Sequence, residues 1–310
     1  DLLVWQNAEN AALLEDLRAW NASADEVDRV RFVGVDFQVV QLTGTYLGYT
    51  LSDALDDAGQ RTADLAASAQ AAVHTADAVA RAQVKEQVAA FRREVAELHL
   101  DEPTRRQAER LLDDIDRYLA TAASSATRDR GLAESLLEDF VPHANAGGRA
   151  VFWAHNAHVS AGPLRYLRST EPAAGGVLRE ALGDDYYAVG FAFGKGSFAA
   201  LDEADGGGWS FASYDVGPPG PGLLCEPLWA SGHGSLMLDL RTLDARTPKL
   251  LRWADTPAGQ RWWGGYRVDA DEVAAGLPAD RLVPTHLRRD FDGLIYLRTT
   301  RATSLREQPE

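Results

Sequence analysis

The 310-residue sequence predicts an α/β protein in which a mixed sheet is flanked by helices, with a helical insertion and a smaller α+β segment. Three features lead to this prediction. Short apolar segments with the length and residue types of strands occur near both ends and in the middle of the chain. A long stretch between two of them has helical periodicity throughout. A later stretch is dense in Gly, Pro and Trp.

The first predicted elements are a helix over residues 6–20 and a strand over residues 30–37. At the end of that strand, Asp36 and Gln38 alternate with apolar residues, so their side chains point to one face of the sheet. There they are candidates to orient an imidazole or to bind a substrate. A helix cap or a hydrogen bond at the sheet edge explains them equally well.

Residues 43–143 are predicted to be almost entirely helical, because they are rich in Ala, Arg and Glu and follow the helical period. One apolar stripe consists of Val84, Val88, Phe91, Val95 and Leu98. The next helix is predicted to begin at Asp101-Glu102-Pro103, where acidic residues and a proline suit a first turn. Its stripe can pack antiparallel on the first and consists of Leu111, Leu112, Ile115, Tyr118 and Leu119.

The most informative segment is an apolar run over residues 149–159 that contains two histidines. Residues 150–154 are predicted to form a buried strand, which places His155 and His158 at its carboxyl end, where open α/β sheets bind their ligands. Histidine suits proton transfer near neutral pH. Asn156 can donate to a developing oxyanion or hold a substrate carbonyl. A histidine that only hydrogen-bonds to backbone is the alternative.

A metal site is a rival interpretation of the same pair. His155 and His158 supply two of the three or four ligands that zinc requires. Asp36, Glu134 or His286 could complete the set. The spacing of the residues does not decide between the two interpretations.

Beyond the histidine segment, a strand is predicted over residues 187–193, closed by a turn at residues 194–197. The glycines of that turn do not have the spacing of a phosphate-binding loop. Residues 201–280 are predicted to form the smaller α+β segment, with a short strand at residues 235–240. The sequence contains no Gly-x-Ser-x-Gly nucleophile motif and no dinucleotide fingerprint after a strand, so we expect no cofactor.

Composition narrows the classes of partner. Acidic residues outnumber basic ones 46 to 31, and the formal charge of −15 disfavours nucleic acid and anionic lipid surfaces. No segment approaches the roughly 20 apolar residues of a membrane span, so we expect no membrane partner. The single cysteine, Cys225, excludes an internal disulfide and is predicted to be a small core residue.

Five segments, in order, resemble one family. They are residues 31–38 with Gly-x-Asp-x-Gln, residues 128–135, residues 153–158 with Trp-Ala-His-Asn-x-His, residues 178–198 and residues 290–296. Together they resemble the erythromycin esterase family, whose members include hydrolases that open macrolide lactone rings. Leu132 and Ser135 replace the Met and Asn of the family's pattern.

The resemblance implies metal-independent hydrolysis of a small-molecule ester by a bacterial, cytoplasmic protein. His155 and His158 are then the catalytic candidates, with Asn156, Asp36 and Gln38 to bind or orient the substrate. Arg128, at the start of its helix, is a further candidate for that role. An internal ion pair or a helix cap is the alternative explanation of Arg128.

One motif of the family is missing. Its Gly-Glu-x-x-His segment, whose histidine is regarded as the base that activates water, does not occur in this sequence, and only about 30 residues precede Gly34. We therefore expect a C-terminal portion of a longer protein that lacks the catalytic base, and a signal peptide stays open. Two other functions also stay open: a non-catalytic domain that binds a ligand or partner, and a metal-dependent hydrolase that uses His155 and His158.

The predicted domain organisation follows from these segments. The α/β core comprises residues 1–42, residues 145–200 and residues from about 281 to 310. The helical insertion comprises residues 43–144, and the small α+β segment comprises residues 201–280. The sequence does not predict an oligomeric state.

Overall fold

The computed structural model describes residues 5–122, 124–144, 147–165, 169–204, 208–261 and 282–304. The chain divides into two compact units. We call Gly34–Ala150 the helical unit, and Asp1–Val33 with Val151–Glu310 the sheet unit. Among the described residues, no helix combines the length and apolar character that a membrane crossing requires.

The bounds of the described elements are as follows. The helices are α1 (Ala8–Ser23), α2 (Val40–Leu51), α3 (Ala58–His74), α4 (Ala78–Glu97), α5 (Glu102–Thr121), α6 (Ser125–Ala144), α7 (Asn156–Val159), α8 (Ala174–Leu182), α9 (Glu226–Ala230), α10 (Pro248–Asp255) and α11 (Leu287–Asp290). The strands are β1 (Val189–Ala204), β2 (Gly208–Val216), β3 (Leu236–Asp239), β4 (Ala258–Gln260), β5 (Val283–Thr285) and β6 (Gly293–Thr300). Short 3₁₀ turns occupy Glu26–Asp28, Gly183–Asp185 and Leu240–Thr242.

The helical unit confirms the two predicted apolar stripes. On α4 the residues Val84, Val88, Phe91 and Val95 are buried, and Leu98 packs against the same core. All five residues of the α5 stripe are buried. Asp101 caps α5 by accepting a hydrogen bond from the Thr104 amide at 2.9 Å, as an acidic residue before a first turn should. Local periodicity and capping therefore determine this unit.

The strands predicted over residues 30–37 and 150–154 are wrong. Neither segment has regular secondary structure, and the exposed fractions of Phe32 and Val151 are 68% and 93%. A strand is held by a ladder of backbone hydrogen bonds to a neighbouring strand. Among the described residues, no ladder includes either segment. Apolar, β-branched sequence is compatible with a strand but does not supply its partner.

The sheet unit is built on four strands in the order β2, β1, β6, β3. β1 is antiparallel to β2 and parallel to β6, and β3 is antiparallel to β6. The sheet is therefore mixed, and the predicted α/β class with flanking helices is confirmed. β4 and β5 form a separate antiparallel pair. The core of the unit includes Leu240, Leu287, Leu294 and Tyr296, each at most 1% exposed.

The turn predicted at residues 194–197 is wrong, because β1 continues through this segment to Ala204. Its glycines allow the close approach of β6. A Cβ atom added to Gly194 would lie 2.6 Å from the Arg298 carbonyl oxygen, and one on Gly196 would lie 2.0 Å from that of Thr300. Gly196 also has φ +133°, which favours glycine. These glycines serve strand pairing instead of ending the strand.

Two buried carboxylates anchor the start of β6. Asp290 accepts two hydrogen bonds from Arg165, at 3.2 and 2.7 Å, and one from the His286 amide at 2.9 Å. Asp292 accepts a hydrogen bond from the Ala188 amide at 2.8 Å and pairs with Arg179. These bonds fix the segments before α8 and before β1 to the same edge of the sheet.

Replacing Asp290 with Ala is expected to lower the free energy of unfolding by about 3–5 kcal/mol, because the partly buried Arg165 guanidinium loses its counter-charge. Urea unfolding measures the change. Arg288→Ala is the control: its ion pair with Asp255, at 2.8 Å, is solvent-exposed and worth about 0–1 kcal/mol. Equal losses in both variants would contradict the anchoring role of Asp290.

In the helical unit, Asp114 is a carboxyl group on which burial and neighbouring arginines have opposite effects. Burial raises the pKa of Asp114 on α5 from its ordinary 3.8 to about 6, although Arg110 and Arg117 act in the opposite direction. The side chain is only 12% exposed. Because the folded pKa lies above the unfolded one, the protonated group favours folding below about pH 4, and this contribution is lost as the pH rises through about 6.

The variant Asp114→Asn is therefore expected to lose this pH dependence. Relative to the variant, the wild-type protein should lose up to about 3 kcal/mol of stability between pH 4 and pH 6. Urea unfolding at a series of pH values measures the difference. Asp64→Asn, which removes an exposed carboxylate on α3 that accepts a hydrogen bond from Gln60, should leave the wild-type slope intact. An unchanged slope in Asp114→Asn would refute the prediction.

Candidate active site

The histidine segment forms a capped helical turn. His155 is the N-cap of α7, and its Nδ1 atom accepts a hydrogen bond from the Ala157 amide at 3.1 Å. The His155 carbonyl accepts from the amide of His158 at 2.8 Å. Since Nδ1 acts as an acceptor, the neutral imidazole of His155 carries its proton on Nε2. In this state the Nε2 atom of His155 is a hydrogen-bond donor.

His158 lies within the same turn. Residues three apart in a helical turn are neighbours on its surface, so the local geometry is the tight bend that would let the two histidines share a side. His158 is partly buried, whereas His155 is exposed. The structure therefore brings the two predicted catalytic residues together in one short element.

Asn156 joins this turn to the sheet. Its Nδ2 donates to the Phe191 carbonyl oxygen at 2.7 Å, and its Oδ1 accepts from the Phe191 amide at 3.0 Å. The side chain therefore pairs with the backbone of β1 in both directions, as an adjacent strand would. Gln260 donates to the same Phe191 carbonyl at 3.1 Å, and its own Oε1 accepts from the Thr285 hydroxyl at 3.1 Å. These contacts fix the position of the histidine turn on β1.

A cavity of about 370 Å³ opens beside this turn. Its volume lies near the lower end of the roughly 300–1,000 Å³ that small-molecule sites occupy. The polar lining residues are His155, Asn156, Cys225, Gln260, Arg261 and Thr300. The apolar lining residues are Ala154, Phe191, Ala192, Phe193, Phe198, Ala199, Leu224 and Leu297. An apolar site with a few polar groups suits a small organic ligand.

Sequence reasoning did not identify Gln260, Arg261 or Cys225 as part of this site. Gln260 and Arg261 reach β1 across 69 and 68 positions of sequence, and no local motif marks them. Cys225 is 6% exposed, as its predicted core role requires. Burial raises the pKa of its thiol, and Arg261 only partly offsets this effect. The thiol therefore stays protonated and is a poor nucleophile.

The other predicted site residues belong to the helical unit. Arg128 donates to both carboxylate oxygens of Asp36, at 3.3 and 2.6 Å. Asp36 also accepts a hydrogen bond from the Gln38 amide at 3.1 Å, while the Gln38 side chain is exposed. The structure thus joins Asp36 with Arg128 and with the Gln38 backbone. These contacts are an internal ion pair and a turn, and the roles of the three residues in substrate binding stay predictions.

The described residues contain no cluster of three or more His, Cys, Asp and Glu side chains with the geometry to hold a metal ion. Of the ligands considered with His155 and His158, Asp36 and Glu134 lie in the helical unit and His286 in the sheet unit.

The sequence model of the erythromycin esterase family matches residues 1–300. The chain belongs to the erythromycin esterase family. The predicted membership is confirmed, and it indicates a hydrolase. No curated protein matches the chain.

Solved structures share the fold of this esterase-family chain. A succinoglycan biosynthesis protein has a TM-score of 0.74 at 18% identity, covering 97% of this chain and 73% of that one. A Bacillus cereus protein has a TM-score of 0.71 at 16% identity, covering 98% and 75%. A histidine-to-asparagine mutant of the erythromycin esterase EreC, in its open conformation, has a TM-score of 0.61 at 14% identity, covering 93% and 73%.

Replacing Asn156 with Ala is expected to lower the free energy of unfolding by about 1–3 kcal/mol, because the Phe191 amide and carbonyl both lose a partner. Thermal and urea unfolding measure the loss. Asn10→Ala is the control, since the Asn10 side-chain amide makes only one exposed hydrogen bond, to the Trp5 carbonyl. We expect the control to change stability by less than about 0.5 kcal/mol. A similar result for both variants would refute the anchoring role of Asn156.

Proposed function

We propose that this chain carries the histidine part of a carboxylic ester hydrolase site of the erythromycin esterase type. The observation that supports the proposal most strongly is the position of His155. It caps α7 through Nδ1 and lines a largely apolar cavity, and its neutral imidazole carries the proton on Nε2. That combination suits a group that donates a hydrogen bond to an ester oxygen as it becomes an oxyanion.

The proposed reaction divides the work between a base and a donor. A base takes a proton from water while the water oxygen bonds to the ester carbonyl carbon and the carbonyl oxygen becomes an oxyanion. The bond to the leaving oxygen then breaks, and that oxygen takes a proton. We assign to His155 the stabilisation of the oxyanion by a hydrogen bond from Nε2. We assign to His158, in the same turn, the protonation of the leaving oxygen.

The base is expected from the family's Gly-Glu-x-x-His motif, which these 310 residues do not contain. The protein to assay is the full-length gene product. A Gly-Glu-x-x-His motif encoded ahead of Asp1 would support the ester hydrolase proposal. Its absence there would favour a domain that binds a ligand without turnover. Macrolide lactones are the family's namesake substrates and belong in the assay beside simple esters.

His155→Ala and His158→Ala in the complete protein are each expected to lower kcat about 10²- to 10⁴-fold, the usual contribution of a positioned acid or base. A panel of macrolactones and 4-nitrophenyl esters measures hydrolysis. His74→Ala is the matched control, because His74 is an exposed residue at the end of α3. Wild-type rates in both site variants would show that the proposed site is wrong.

Treatment with a chelator distinguishes metal-independent hydrolysis from the metal-dependent alternative. We expect ester hydrolysis by the complete protein to be unchanged after treatment with EDTA. Loss of activity with EDTA and its recovery with Zn²⁺ would replace the metal-independent proposal with a metal-dependent one.

A further inference from the structure

The cavity beside His155 contains a cation, Arg261, to which the described part of the chain supplies no counter-charge. The Arg261 guanidinium donates to the carbonyl oxygens of Phe193, Gly194 and Gly217, at 3.1, 2.6 and 3.0 Å. Among the described residues, no carboxylate lies within ion-pair distance of it. Two other arginines of the sheet unit differ: Arg165 pairs with Asp290, and Arg179 pairs with Asp292.

The hydrogen bonds of Arg261 do not use all of its donors. One Nη1 hydrogen goes to Gly217, and Nη2 serves Phe193, Gly194 and, at 3.7 Å, the Cys225 sulfur. The Nε hydrogen and the second Nη1 hydrogen have no acceptor among the described residues. A partly buried cation in an apolar cavity is costly without an anion. Guanidinium is the side-chain group best suited to bind a carboxylate.

The position of Arg261 along β1 indicates how long a ligand with such an anion should be. Asn156 attaches the histidine turn to β1 at Phe191, whereas Arg261 binds the carbonyls two and three residues further along. At about 3.3 Å per strand residue, the two attachment points are about 7–10 Å apart. This separation, taken along the strand backbone, is longer than a single ester group. It suits one molecule with an ester at one end and an anion at the other.

Much of the cavity wall is apolar. Phe191, Phe193, Leu224 and Leu297 line it, which suits a chain of methylene groups. We propose that Arg261 binds a carboxylate of the substrate, and that the substrate is a small half-ester of a dicarboxylic acid with its ester carbonyl at His155. The substrate class rests on the proposed ester hydrolysis, whereas the anion site does not.

The test uses two esters that differ only in charge. Mono-4-nitrophenyl adipate carries a free carboxylate, and 4-nitrophenyl methyl adipate has the same chain with that carboxylate methylated. For Arg261→Gln in the complete protein, we expect KM for the first ester to rise about 10- to 100-fold, the value of a charged hydrogen bond. KM for the methylated ester should not change. Arg261→Lys, which keeps the charge, should recover part of the loss.

Arg298→Gln is the matched control. Arg298 also holds backbone carbonyls of the sheet unit, those of Trp229 and His233, but it is not among the residues that line the cavity. Its replacement should leave the KM ratio of the two esters at the wild-type value. If Arg261→Gln weakens both esters equally, or neither, the proposed carboxylate site is wrong.

Binding of adipate itself separates this inference from the proposed function. Adipate should raise the Tm of the wild-type protein and of Arg298→Gln, but not that of Arg261→Gln. If this pattern appears while neither ester is hydrolysed, the anion site stands and the hydrolase proposal fails. If the esters are hydrolysed but adipate stabilises no variant, or stabilises Arg261→Gln as well as wild type, the anion site is refuted.

Discussion

The sheet unit depends on two carboxylates buried where the chain enters β6. Asp290 holds the loop after α7 through Arg165 and, with its carbonyl, the Ala161 amide at 2.8 Å. Asp292 holds α8 through Arg179, and it holds the segment before β1 through the Ala188 amide. A buried carboxylate is tolerable only when its oxygens have partners, so these contacts must all form together. These contacts fix the positions of the histidine turn, α8 and the two central strands, β1 and β6, relative to one another.

The helices could be predicted from sequence because their determinants are local. The stripes of α4 and α5 follow the helical period, and Asp101 and Pro103 mark a first turn within four positions. Strands depend on a distant partner, which sequence periodicity does not reveal. Residues 150–154 have the composition of a buried strand but no ladder, whereas residues 194–197 contain two glycines and still lie within β1.

The same distinction applies to the candidate site. His155, Asn156 and His158 are contiguous, so one motif was enough to select them, and the capped turn accounts for their proximity. Gln260 and Arg261 join the site only because β4 ends beside β1, a long-range contact that no spacing in the sequence encodes. The two hydrogen bonds between Asn156 and the Phe191 backbone were also not predictable, since they depend on where β1 lies in the fold. Asn156 thus has a structural task that its side-chain chemistry alone did not indicate.

The cap of α7 sets a competition for one lone pair. Nδ1 of His155 can either accept the Ala157 hydrogen bond or hold a second proton, but not both. An imidazolium at His155 would therefore leave the first turn of α7 without its N-terminal acceptor, and with a positive charge at the end of a helix that repels cations. The cap makes the neutral state of His155 a condition for the geometry of the site.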